Sequence, residues 1–366
     1  MRVAVVHHEV APDAPADELD VLDQVQVVVD ALNALGHDAR VLACSLNLAA
    51  VKTEMERLAP DVVFNLVESL DGQGRLIHLF PALLDGMGVA YTGAPAEAIF
   101  LTSNKVLAKE RLAGSGLPTP AWLSGQERGT IFRTGAESRD TPIASRSWLV
   151  KSLWEHASIG IEAESIVTEA SRMGLRRILE GKAGGLGDAC FAEEYIDGRE
   201  FNLSLLGGPA GPQVLTPAEI RFEGFGEDRP RIVGYRAKWQ ADSYEFHHTP
   251  RCFSFEPRDH GLLDRLRSLA GDCWHLFGLK GYARVDFRVD HQGQPWILEI
   301  NTNPCLSPDA GFAAAVLESG LSVVEAVDRI LSDAIRGNRP GSPDREESAR
   351  SRVVHEEAPV PGAANS

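Results

Sequence analysis

A hairpin near the C-terminus constrains the fold more than any other segment of this 366-residue chain. Its strands read A-R-V-D-F-R-V-D and P-W-I-L-E-I-N, and the turn between them lies at residues 291–293. Alternation along a strand predicts two shared faces: Arg284, Asp286 and Arg288 on the first strand, and Ile297, Glu299 and Asn301 on the second.

The carboxylates of this hairpin suggest a cation site. If the two polar faces coincide, Asp286, Glu299 and Asn301 converge as three oxygen ligands. Like charges opposite each other destabilise a sheet unless a cation lies between them, and Mg²⁺ prefers a few carboxylates completed by phosphate oxygens and water. The alternative is a solvated face on which Arg284 and Arg288 neutralise the acids.

Three lysines stand in otherwise apolar segments upstream of the hairpin. Lys151 and Lys238 are predicted on strands, and Lys105 near the middle of a helix. Such point charges suit a polyphosphate, although a lone lysine in this setting is more often a surface residue. Glu193 and Glu200 are predicted at the ends of adjacent strands, where they could bind an adenine amino group and ribose hydroxyls, or be ordinary edge charges.

The order of strand and helix patterns divides the chain. Strands and helices alternate over residues 1–95, which predicts a parallel sheet covered by helices. A helix is predicted over 96–113, then a polar stretch at 124–147, then a small α+β unit with a strand at 148–152, a helix at 164–180 and strands at 190–196 and 200–206. Further β runs are predicted at 213–222, 231–239 and 244–255, followed by helices at 259–278 and 322–336.

Residues 338–366 lack apolar periodicity and are predicted to be disordered.

Charge and cysteine content exclude several classes of function. With 36 Lys and Arg against 52 Asp and Glu, the net charge of −16 repels nucleic-acid phosphates. Five cysteines without a C-x-x-C pair predict reduced thiols and no structural zinc site. There is no long apolar run and no signal-peptide pattern, so a cytoplasmic protein without membrane partners is expected. The Walker motif and a G-x-G-x-x-G after the first strand are both absent, which argues against a Walker-type ATPase and a dinucleotide dehydrogenase.

Taken in order, these motifs resemble one superfamily. The series N-K, V-K, E-E-Y-I-D-G-R-E-F, A-K-W, A-R-V-D-F and L-E-I-N-T-N-P resembles the ATP-grasp superfamily, and within it the D-alanine–D-alanine ligase type. The resemblance covers residues 1–335 and implies a mixed α/β and α+β ATP-grasp fold. Its parts would be an N-terminal parallel-sheet (pre-ATP-grasp) domain at 1–95, a small central lid subdomain at 96–207, and a C-terminal antiparallel-sheet catalytic subdomain at 208–337.

The resemblance also implies residue roles for ATP binding. Phosphate contacts would come from Lys105, Lys151 and, at the γ-phosphate, Lys238. Ser158 and Gly160 would belong to the loop that covers the phosphates with backbone N–H groups. The adenine pocket would be lined by Glu193, Tyr195 and Ile196, and the ribose would be held by Glu200.

Catalytic and metal-binding roles follow from the same resemblance. Asp286, Glu299 and Asn301 would bind two Mg²⁺ ions, with Mn²⁺ as an alternative, and Arg284 would stabilise the oxyanion of the tetrahedral intermediate. Glu18 would replace the family's amine-binding glutamate, although acids are also favourable at a solvated helix N-terminus. The family's reaction is ADP-forming: a carboxylate attacks ATP to give an acyl phosphate, and an amine displaces the phosphate. Small-molecule carboxylate and amine substrates, and a homodimer, are implied.

The departures from the family pattern concern the substrates. The family's H-G-x-x-G-E-D-G is replaced by N-L-V-E-S-L-D-G-Q-G-R, and four other positions of the family pattern differ: Ala157, Trp239, Cys305 and Ala310. The sequence therefore predicts a ligase of the same reaction type with a different carboxylate and amine. The alternatives are a true D-alanine–D-alanine ligase of peptidoglycan synthesis, a nucleotide-binding regulatory module, and a phosphotransferase on the same fold.

Overall fold

The computed structural model of the chain describes residues 1–124, 131–132, 146–155, 158–169, 171–182, 189–226 and 229–337. Three predictions fall outside the described residues: the substitution at Ala157, most of the polar stretch 124–147, and the tail at 338–366.

The N-terminal segment folds around a three-stranded parallel sheet. Its elements are β1 (Arg2–His8), α1 (Ala16–Ala34), β2 (Asp38–Cys44), α2 (Leu48–Leu58), β3 (Val62–Leu66) and α3 (Leu79–Met87). The strand order is β2-β1-β3. On β1, Val3 and Val5 pack in the same core as α1, whereas Ala4 and Val6 pack in the core that contains α2 and α3. Burial on both faces is typical of a helix-covered parallel sheet, and the predicted parallel sheet is confirmed.

A second sheet, which is antiparallel, follows in the chain. Its segment contains α4 (Ala96–Ser103), α5 (Lys105–Gly114), β4 (Trp122–Ser124), β5 (Ile131–Phe132), β6 (Arg146–Ser152), β7 (Ile166–Glu169), α6 (Arg172–Lys182) and β8 (Cys190–Glu194). The strands are ordered β5-β4-β8-β6-β7. This central sheet carries Lys151 on β6 and Glu193 on β8.

The single helix predicted over residues 96–113 is two helices, α4 and α5. Asn104 separates them with an extended backbone, and its Oδ1 accepts the backbone N–H groups of Val106 and Leu107 at 3.1 and 3.0 Å. Asparagine is favoured at this position because its side chain satisfies the free N–H groups of a new helix. Lys105 is therefore the first residue of α5, and its expected place in the middle of a helix was wrong.

The C-terminal segment is built on a larger antiparallel sheet. Its elements are β9 (Arg199–Leu206), β10 (Gln213–Val214), β11 (Ala218–Ile220), α7 (Tyr235–Trp239), α8 (Tyr244–His247), β12 (Arg251–Cys252), α9 (His260–Leu276), β13 (Tyr282–Val289), β14 (Pro295–Asn301), α10 (Gly311–Glu318) and α11 (Val323–Gly337). The order is β12-β11-β9-β13-β14, with β10 paired to β9. One face packs apolar residues such as Phe201, Leu203 and Phe287 against α9, and the opposite face is polar.

Strand β9 belongs to this third sheet, where it pairs with β11 and β13. The sequence grouped residues 200–206 with the central unit, but β8 and β9 lie in different sheets. The division into domains at residues 95, 207 and 337 stays a prediction, and the pairing favours a boundary between β8 and β9.

Two predicted β runs, at 231–239 and 244–255, were wrong over most of their length. They form the short helices α7 and α8, and only β12 is a strand. Ser243 caps α8, since its Oγ accepts the N–H of Phe246 at 3.1 Å. Lys238 consequently lies on a helix rather than on a strand. The aromatic residues of these runs favour strands by propensity, and their tertiary setting overrides that preference.

The N-terminal and C-terminal segments meet at the loop after β14. Helix α11 shares a hydrophobic core with α1 and β3, through residues such as Ile330 and Leu331. The Nδ2 group of Asn303 donates to the carbonyl of Val67 at 3.3 Å, just beyond the end of β3. The polar face of the third sheet therefore adjoins the carboxyl ends of the parallel strands. Within the described ranges, no helix has the length and apolar character needed to cross a membrane.

Candidate active site

Strands β13 and β14 pair so that the polar residues of the hairpin meet. Asp286 lies opposite Glu299, and Arg284 lies opposite Asn301. Residues directly opposite in an antiparallel pair point to the same side of the sheet. The two polar faces therefore coincide, as the alternation predicted.

A β-bulge at Leu298 changes one part of this prediction. Ile297 lies opposite Phe287, and both are fully buried in the core that α9 covers. The unpaired Leu298 reverses the alternation on its N-terminal side, so Ile297 does not share a face with Glu299, and that expectation was wrong. Bulges re-aim side chains next to functional sites, and this one lets the apolar and polar residues of β14 face opposite sides.

Asp286 is held by two neighbours on the polar face. Arg284 donates from Nε at 2.7 Å and from Nη2 at 2.8 Å to its two carboxylate oxygens. Asn202, which lies opposite Asp286 on β9, donates from Nδ2 at 2.8 Å. Burial alone would lower the pKa of Arg284, but Asp286 raises it above its usual value. The sequence left open that an arginine neutralises the acids, and this interaction is present between Arg284 and Asp286. The contact of Asn202 with Asp286 was not predicted.

The oxygen donors of the hairpin fit Mg²⁺ only together with outside ligands. Among the described residues, no group of three or more His, Cys, Asp or Glu side chains is arranged to hold a metal ion. Asp286 and Glu299 supply two carboxylates, and the Asn301 Oδ1 also accepts the N–H of Asn303 at 2.9 Å. An incomplete set of this kind is typical of Mg²⁺ sites that phosphate oxygens and water complete. The metal-binding role of these residues stays a prediction.

Two lysines pair with one buried carboxylate, Glu193, between α5 and the central sheet, and a third lysine, Lys105, lies in the same region. Lys151 contacts Glu193 at 2.6 Å, and Lys109 pairs with the other carboxylate oxygen. Lys105 donates to the carbonyl of Glu155 at 2.5 Å. Burial lowers the pKa of Lys105 and of Lys109, and although burial opposes ionisation of Glu193, the two paired lysines hold its pKa below the usual value. Lys105 is held by a carbonyl, and Glu299, Glu155 and Glu193 all favour its charged form.

Lys109 was missed by the sequence prediction. It follows Lys105 by four residues on α5, a spacing that puts two side chains on the same helix face. That spacing was the available sequence signal for a second lysine beside Lys105. A fully buried lysine needs a partner, and Glu193 is the partner here.

Glu200, the predicted ribose contact, forms a salt bridge with Arg288, and this salt bridge was not predicted. Arg288 contacts Glu200 at 3.1 Å, is 4% exposed, and also donates to the carbonyls of Gly198, at 3.1 Å, and Arg231. The Tyr195 hydroxyl donates to the same Arg231 carbonyl at 3.4 Å. Burial raises the pKa of Glu200 and Arg288 opposes that rise. Arg288 thus links β13, β9 and the segment before α7.

A cavity of about 820 Å³ opens beside Tyr195. Its walls include Arg146, Glu194, Asp197, Phe225, Arg229 and Arg231. Glu193 and Ile196 are not among its lining residues. The cavity and the three predicted adenine contacts therefore coincide only at Tyr195, and the adenine-pocket role stays a prediction.

Lys238 reaches the polar face of the hairpin from α7. Burial lowers its pKa and the charge of Arg284 adds to that effect, while Glu299 and Asp286 oppose it. These influences place its ammonium group in the same charged region as the hairpin residues. Lys238 lies on a helix rather than on the predicted strand, and its contact with the γ-phosphate stays a prediction.

The predicted phosphate-covering loop contacts the segment at the start of α7. The Ser158 hydroxyl donates to the carbonyl of Val233 at 2.9 Å, and the Tyr235 N–H donates to Ile161 at 3.2 Å. Gly160 adopts a positive φ of 71°, and its carbonyl accepts the Ser165 hydroxyl at 2.9 Å. Ser158 and Gly160 therefore lie in a loop packed against the helix that carries Lys238.

Helix α1 is tied to the loop after β14 by Asp20. Its carboxylate accepts the Cys305 thiol at 2.9 Å and the Ser307 hydroxyl at 2.8 Å. Gln24 donates to Asp20 at 3.2 Å and to Glu68 at 2.9 Å. Burial raises the pKa of Glu68 to about 7, and Asp20 adds to that rise. Asp20 and Glu68 were not among the predicted site residues.

Glu18 lies in the first turn of α1, between Asp17 and Asp20, whose carboxylates both accept hydrogen bonds from the C-terminal segment. Asp17 accepts the hydroxyl of Tyr235 at 2.9 Å, and Asp20 is held by the C-terminal loop. The turn that carries Glu18 is therefore brought to the C-terminal segment. Its amine-binding role stays a prediction.

The C-terminal part of the chain matches one protein-family model. Residues 115–332 match the model described as the D-ala D-ala ligase C-terminus. The chain belongs to the D-alanine–D-alanine ligase family. These proteins are ATP-grasp ligases that form carbon–nitrogen bonds, so the predicted enzyme class is confirmed.

Curated relatives and solved structures agree with this family. The ligase is 31% identical over 319 residues to "Uncharacterized protein y4sG" of Sinorhizobium fredii, with 84% of this chain and 86% of that protein covered. It is 30% identical over 342 residues to a D-alanine–D-alanine ligase of Moorella thermoacetica, with 92% and 99% covered. Its fold resembles that of a Bacillus anthracis D-alanine–D-alanine ligase complexed with ATP, with a TM-score of 0.68, 19% identity and 95% and 99% coverage. The predicted ATP-grasp fold is confirmed.

Proposed function

We propose that this ligase is ATP-dependent and ADP-forming, and that it joins a carboxylate to an amine through an acyl phosphate. The observation that carries the proposal is the convergence of Arg284, Asp286 and Glu299 on one face of the hairpin, with Lys238 beside them. Phosphoryl transfer needs positioning and charge neutralisation more than covalent help from the protein. This face supplies both without a side-chain nucleophile.

In the proposed reaction, the chain's own residues bind and neutralise. Lys105, Lys151 and Lys238 hold the phosphates of ATP while an oxygen of the substrate carboxylate attacks the γ-phosphorus and ADP leaves. Asp286, Glu299 and Asn301 would hold Mg²⁺, which would supply neutralising charge to the phosphate oxygens. The amine then attacks the acyl carbon, Arg284 stabilises the resulting oxyanion, and phosphate departs as the amide forms.

The finer part of the proposal is that the substrate pair is not two molecules of D-alanine. Cys305 stands where the family pattern has glycine, and its thiol donates to Asp20 on α1 at 2.9 Å. Ala310 precedes α10 without a side-chain cap, so no hydroxyl is available there. Both differences lie at the end of the site where the amino acids are expected, whereas the nucleotide end keeps the family's lysines and acids.

A true D-alanine–D-alanine ligase is the second candidate function. It is favoured by the Moorella thermoacetica relative, which carries that name and covers nearly the whole chain at 30% identity. The two candidates share the reaction and differ only in the substrates, so one assay separates them.

The experiment measures ADP and phosphate release from Mg-ATP against a panel of carboxylates and amines. The panel contains D-alanine, L-amino acids and small dipeptides. Asp286→Ala and Glu299→Ala should abolish release, whereas Asp264→Ala, at a side chain 77% exposed on α9, should not. Turnover only with another pair supports the proposal. Turnover with D-alanine alone supports the second candidate.

An absence of turnover across the panel, with ATP binding intact, would contradict both candidates. It would favour the nucleotide-binding regulatory module considered from the sequence. A phosphorylated product that persists without an amine would favour the phosphotransferase. The homodimer and the cytoplasmic location expected from the sequence stay predictions.

A further inference from the structure

Arg288 lies buried on the polar face of the third sheet. It follows Asp286 by two residues on β13 and lies directly opposite Glu200 on β9. Because directly opposite residues share a face, Arg288 points to the side that carries the acids of the hairpin. The sequence predicted no role for it beyond neutralising those acids. Arginine is almost never fully buried unless it is paired, so the partners of Arg288 indicate what it holds.

The partners of Arg288 come from two distant parts of the chain. At the start of β9, its guanidinium contacts Glu200 Oε2 at 3.1 Å and donates to the carbonyl of Gly198 at 3.1 Å. From the segment before α7, it binds the carbonyl of Arg231. The ring centre of Phe222 lies 5.2 Å from the guanidinium carbon. The planar fork of an arginine carries enough donors to bind all three acceptors at once.

The peptide at Arg231 is held from a second side by Tyr195. The Tyr195 hydroxyl donates to the Arg231 carbonyl at 3.4 Å and accepts the Arg231 N–H at 3.2 Å. The backbone N–H of Tyr195 donates to the carbonyl of Ser147 on β6 at 2.9 Å, which ties Tyr195 to the central sheet. Arg288 approaches from the third sheet. The peptide at Arg231 is therefore fixed between the two sheets.

Fixing Arg231 also fixes the approach to α7, the helix that carries Lys238. Helix α7 begins at Tyr235, four residues after Arg231, and Lys238 lies in its last turn. The helix has only five residues, and Gly234 provides no side-chain cap at its start. A helix this short is not stable on its own. Its position therefore depends on the contacts of the segments beside it.

We propose that Arg288 is a positioning residue, which joins the ribose contact Glu200 to the approach of α7 and thereby holds Lys238 in place for the γ-phosphate. This inference rests on the proposed ligase function. Glu200 uses Oε2 for Arg288, and a carboxylate has further acceptor positions, so a ribose hydroxyl can bind the same acid. Arg288 then connects the part of the nucleotide bound by Glu200 with the part that Lys238 contacts.

The alternative is that Arg288 only neutralises a buried acid. Any positive charge would then serve, and Arg288→Lys would restore ATP binding, turnover and the order of α7 alike. Tyr195→Phe, which keeps the ring and leaves Glu200 untouched, would then change neither turnover nor α7. The positioning role predicts a different pattern, because lysine has no planar fork to span Glu200 and Arg231 together.

The experiment uses Arg288→Met, Arg288→Lys and Tyr195→Phe in the full chain, with Arg258→Met as the matched control. The side chain of Arg258 is 79% exposed and pairs with Glu256 at the surface. Calorimetry measures the Kd of ATP and of 2′,3′-dideoxyATP, which lacks both ribose hydroxyls. Hydrogen exchange, followed by mass spectrometry with ATP bound, measures the protection of the peptide 231–240. The kcat is measured with the substrate pair found in the panel.

We expect Tyr195→Phe to speed exchange in 231–240 about 2- to 10-fold, as for loss of one hydrogen bond. Its kcat should fall about 10- to 100-fold, since a small misplacement of a reacting group costs this much, while the ratio of the two Kd values stays that of the parent. Arg288→Lys should show the same faster exchange and lower kcat, with the Kd of ATP within about threefold of the parent value because the charge beside Glu200 remains.

Arg288→Met should lose both connections. Beside faster exchange and lower kcat, its Kd for ATP should rise about 10-fold, and it should discriminate less between ATP and 2′,3′-dideoxyATP. Arg258→Met should behave as the parent does. If Arg288→Met does not fold, the lysine and phenylalanine variants decide the question.

The inference is wrong if Arg288→Lys matches the parent in kcat and exchange, or if Tyr195→Phe changes neither. It is also wrong if exchange accelerates equally along the whole chain, which would indicate a general loss of stability. Equal Kd values of the parent for ATP and 2′,3′-dideoxyATP would overturn it as well. An absence of turnover in the parent would overturn the proposed function, whereas the Kd and exchange measurements need only ATP and would still decide the role of Arg288.

Discussion

The ammonium group of Lys109 is ion-paired with the carboxylate of Glu193 in the protein interior, where the two side chains are 1% and 2% exposed. Lys109 also donates to the Thr119 hydroxyl at 2.8 Å, and Thr119 donates to the carbonyl of Ile297 at 2.8 Å. The pair therefore connects α5, the central sheet and the hairpin of β13 and β14. It also fixes Glu193 where Lys151 contacts it.

Replacing Lys109 by methionine should destabilise the ligase by about 3 kcal/mol, because removing one partner of a buried pair leaves a charge poorly compensated. Lys151 remains beside Glu193 and limits the loss. The free energy of unfolding in urea measures the effect. The matched control is Lys52→Met on α2, whose pair with Glu56 is more than half exposed, and its expected change is below about 0.5 kcal/mol. Similar changes in the two variants would contradict the role of Lys109.

Much of the fold could be predicted because it follows from periodic patterns. Alternation in β13 and in the last three residues of β14 identified the hairpin and put Asp286 and Glu299 on one face, where the structure pairs them. The alternating strands and helices before residue 95 identified the parallel sheet. These signals are local, and the burial of each face reinforces them.

The sequence predictions were wrong where the local backbone or side-chain arrangement depends on a contact with a distant part of the chain. The bulge at Leu298 leaves the sequence pattern looking continuous, so Ile297 was assigned to the wrong face. Helix α7 was taken for a strand because its aromatic residues favour strands. Asn202 was missed since its contact is with Asp286, a neighbour on another strand. The Asn104 cap and the four-residue spacing of Lys105 and Lys109 were visible in the sequence and overlooked.

Asn202→Ala should weaken the use of Mg²⁺ without removing a predicted ligand. Its Nδ2 donates to Asp286 Oδ1 at 2.8 Å, so the amide orients a carboxylate expected to bind the metal. Loss of such an orienting group typically costs about 10- to 100-fold in metal affinity or activity. The measurement is ADP release as a function of Mg²⁺ concentration, with the midpoint expected to rise. Asn33→Ala, at an exposed position of α1, is the control. An unchanged midpoint for Asn202→Ala would show that Asp286 is oriented without it.

Glu68 should make the stability of the ligase fall as the pH rises from about 5 to 7. Burial raises its pKa from 4.5 to about 7, so the folded protein keeps a proton that the unfolded chain has already lost in this range. Folding then takes up a proton, and the loss of stability is complete above pH 7. The whole effect is on the order of 1 to 3 kcal/mol. Glu68→Gln should remove this slope in urea unfolding measured at pH 5, 6, 7 and 8.

Glu56→Gln is the matched control for this pH dependence, since Glu56 is 59% exposed on α2. It should keep the slope of the parent protein. A slope that survives in Glu68→Gln would mean that another group takes up the proton on folding.

Gly198→Ala should damage both stability and ATP binding. Gly198 has a φ of 151° between β8 and β9, and a Cβ there would collide with the carbonyl oxygen of Val289. Its own carbonyl accepts Arg288, the residue that binds Glu200. Moving this backbone should destabilise the protein by about 1 to 3 kcal/mol and weaken ATP binding, measured by urea unfolding and calorimetry.

Gly261→Ala is the matched control on α9, where nothing lies within 4 Å of the added carbon. Alanine there should be neutral or stabilising by up to about 1 kcal/mol. If Gly198→Ala loses stability but binds ATP as the parent does, the contact between Gly198 and Arg288 does not position Glu200 for the nucleotide.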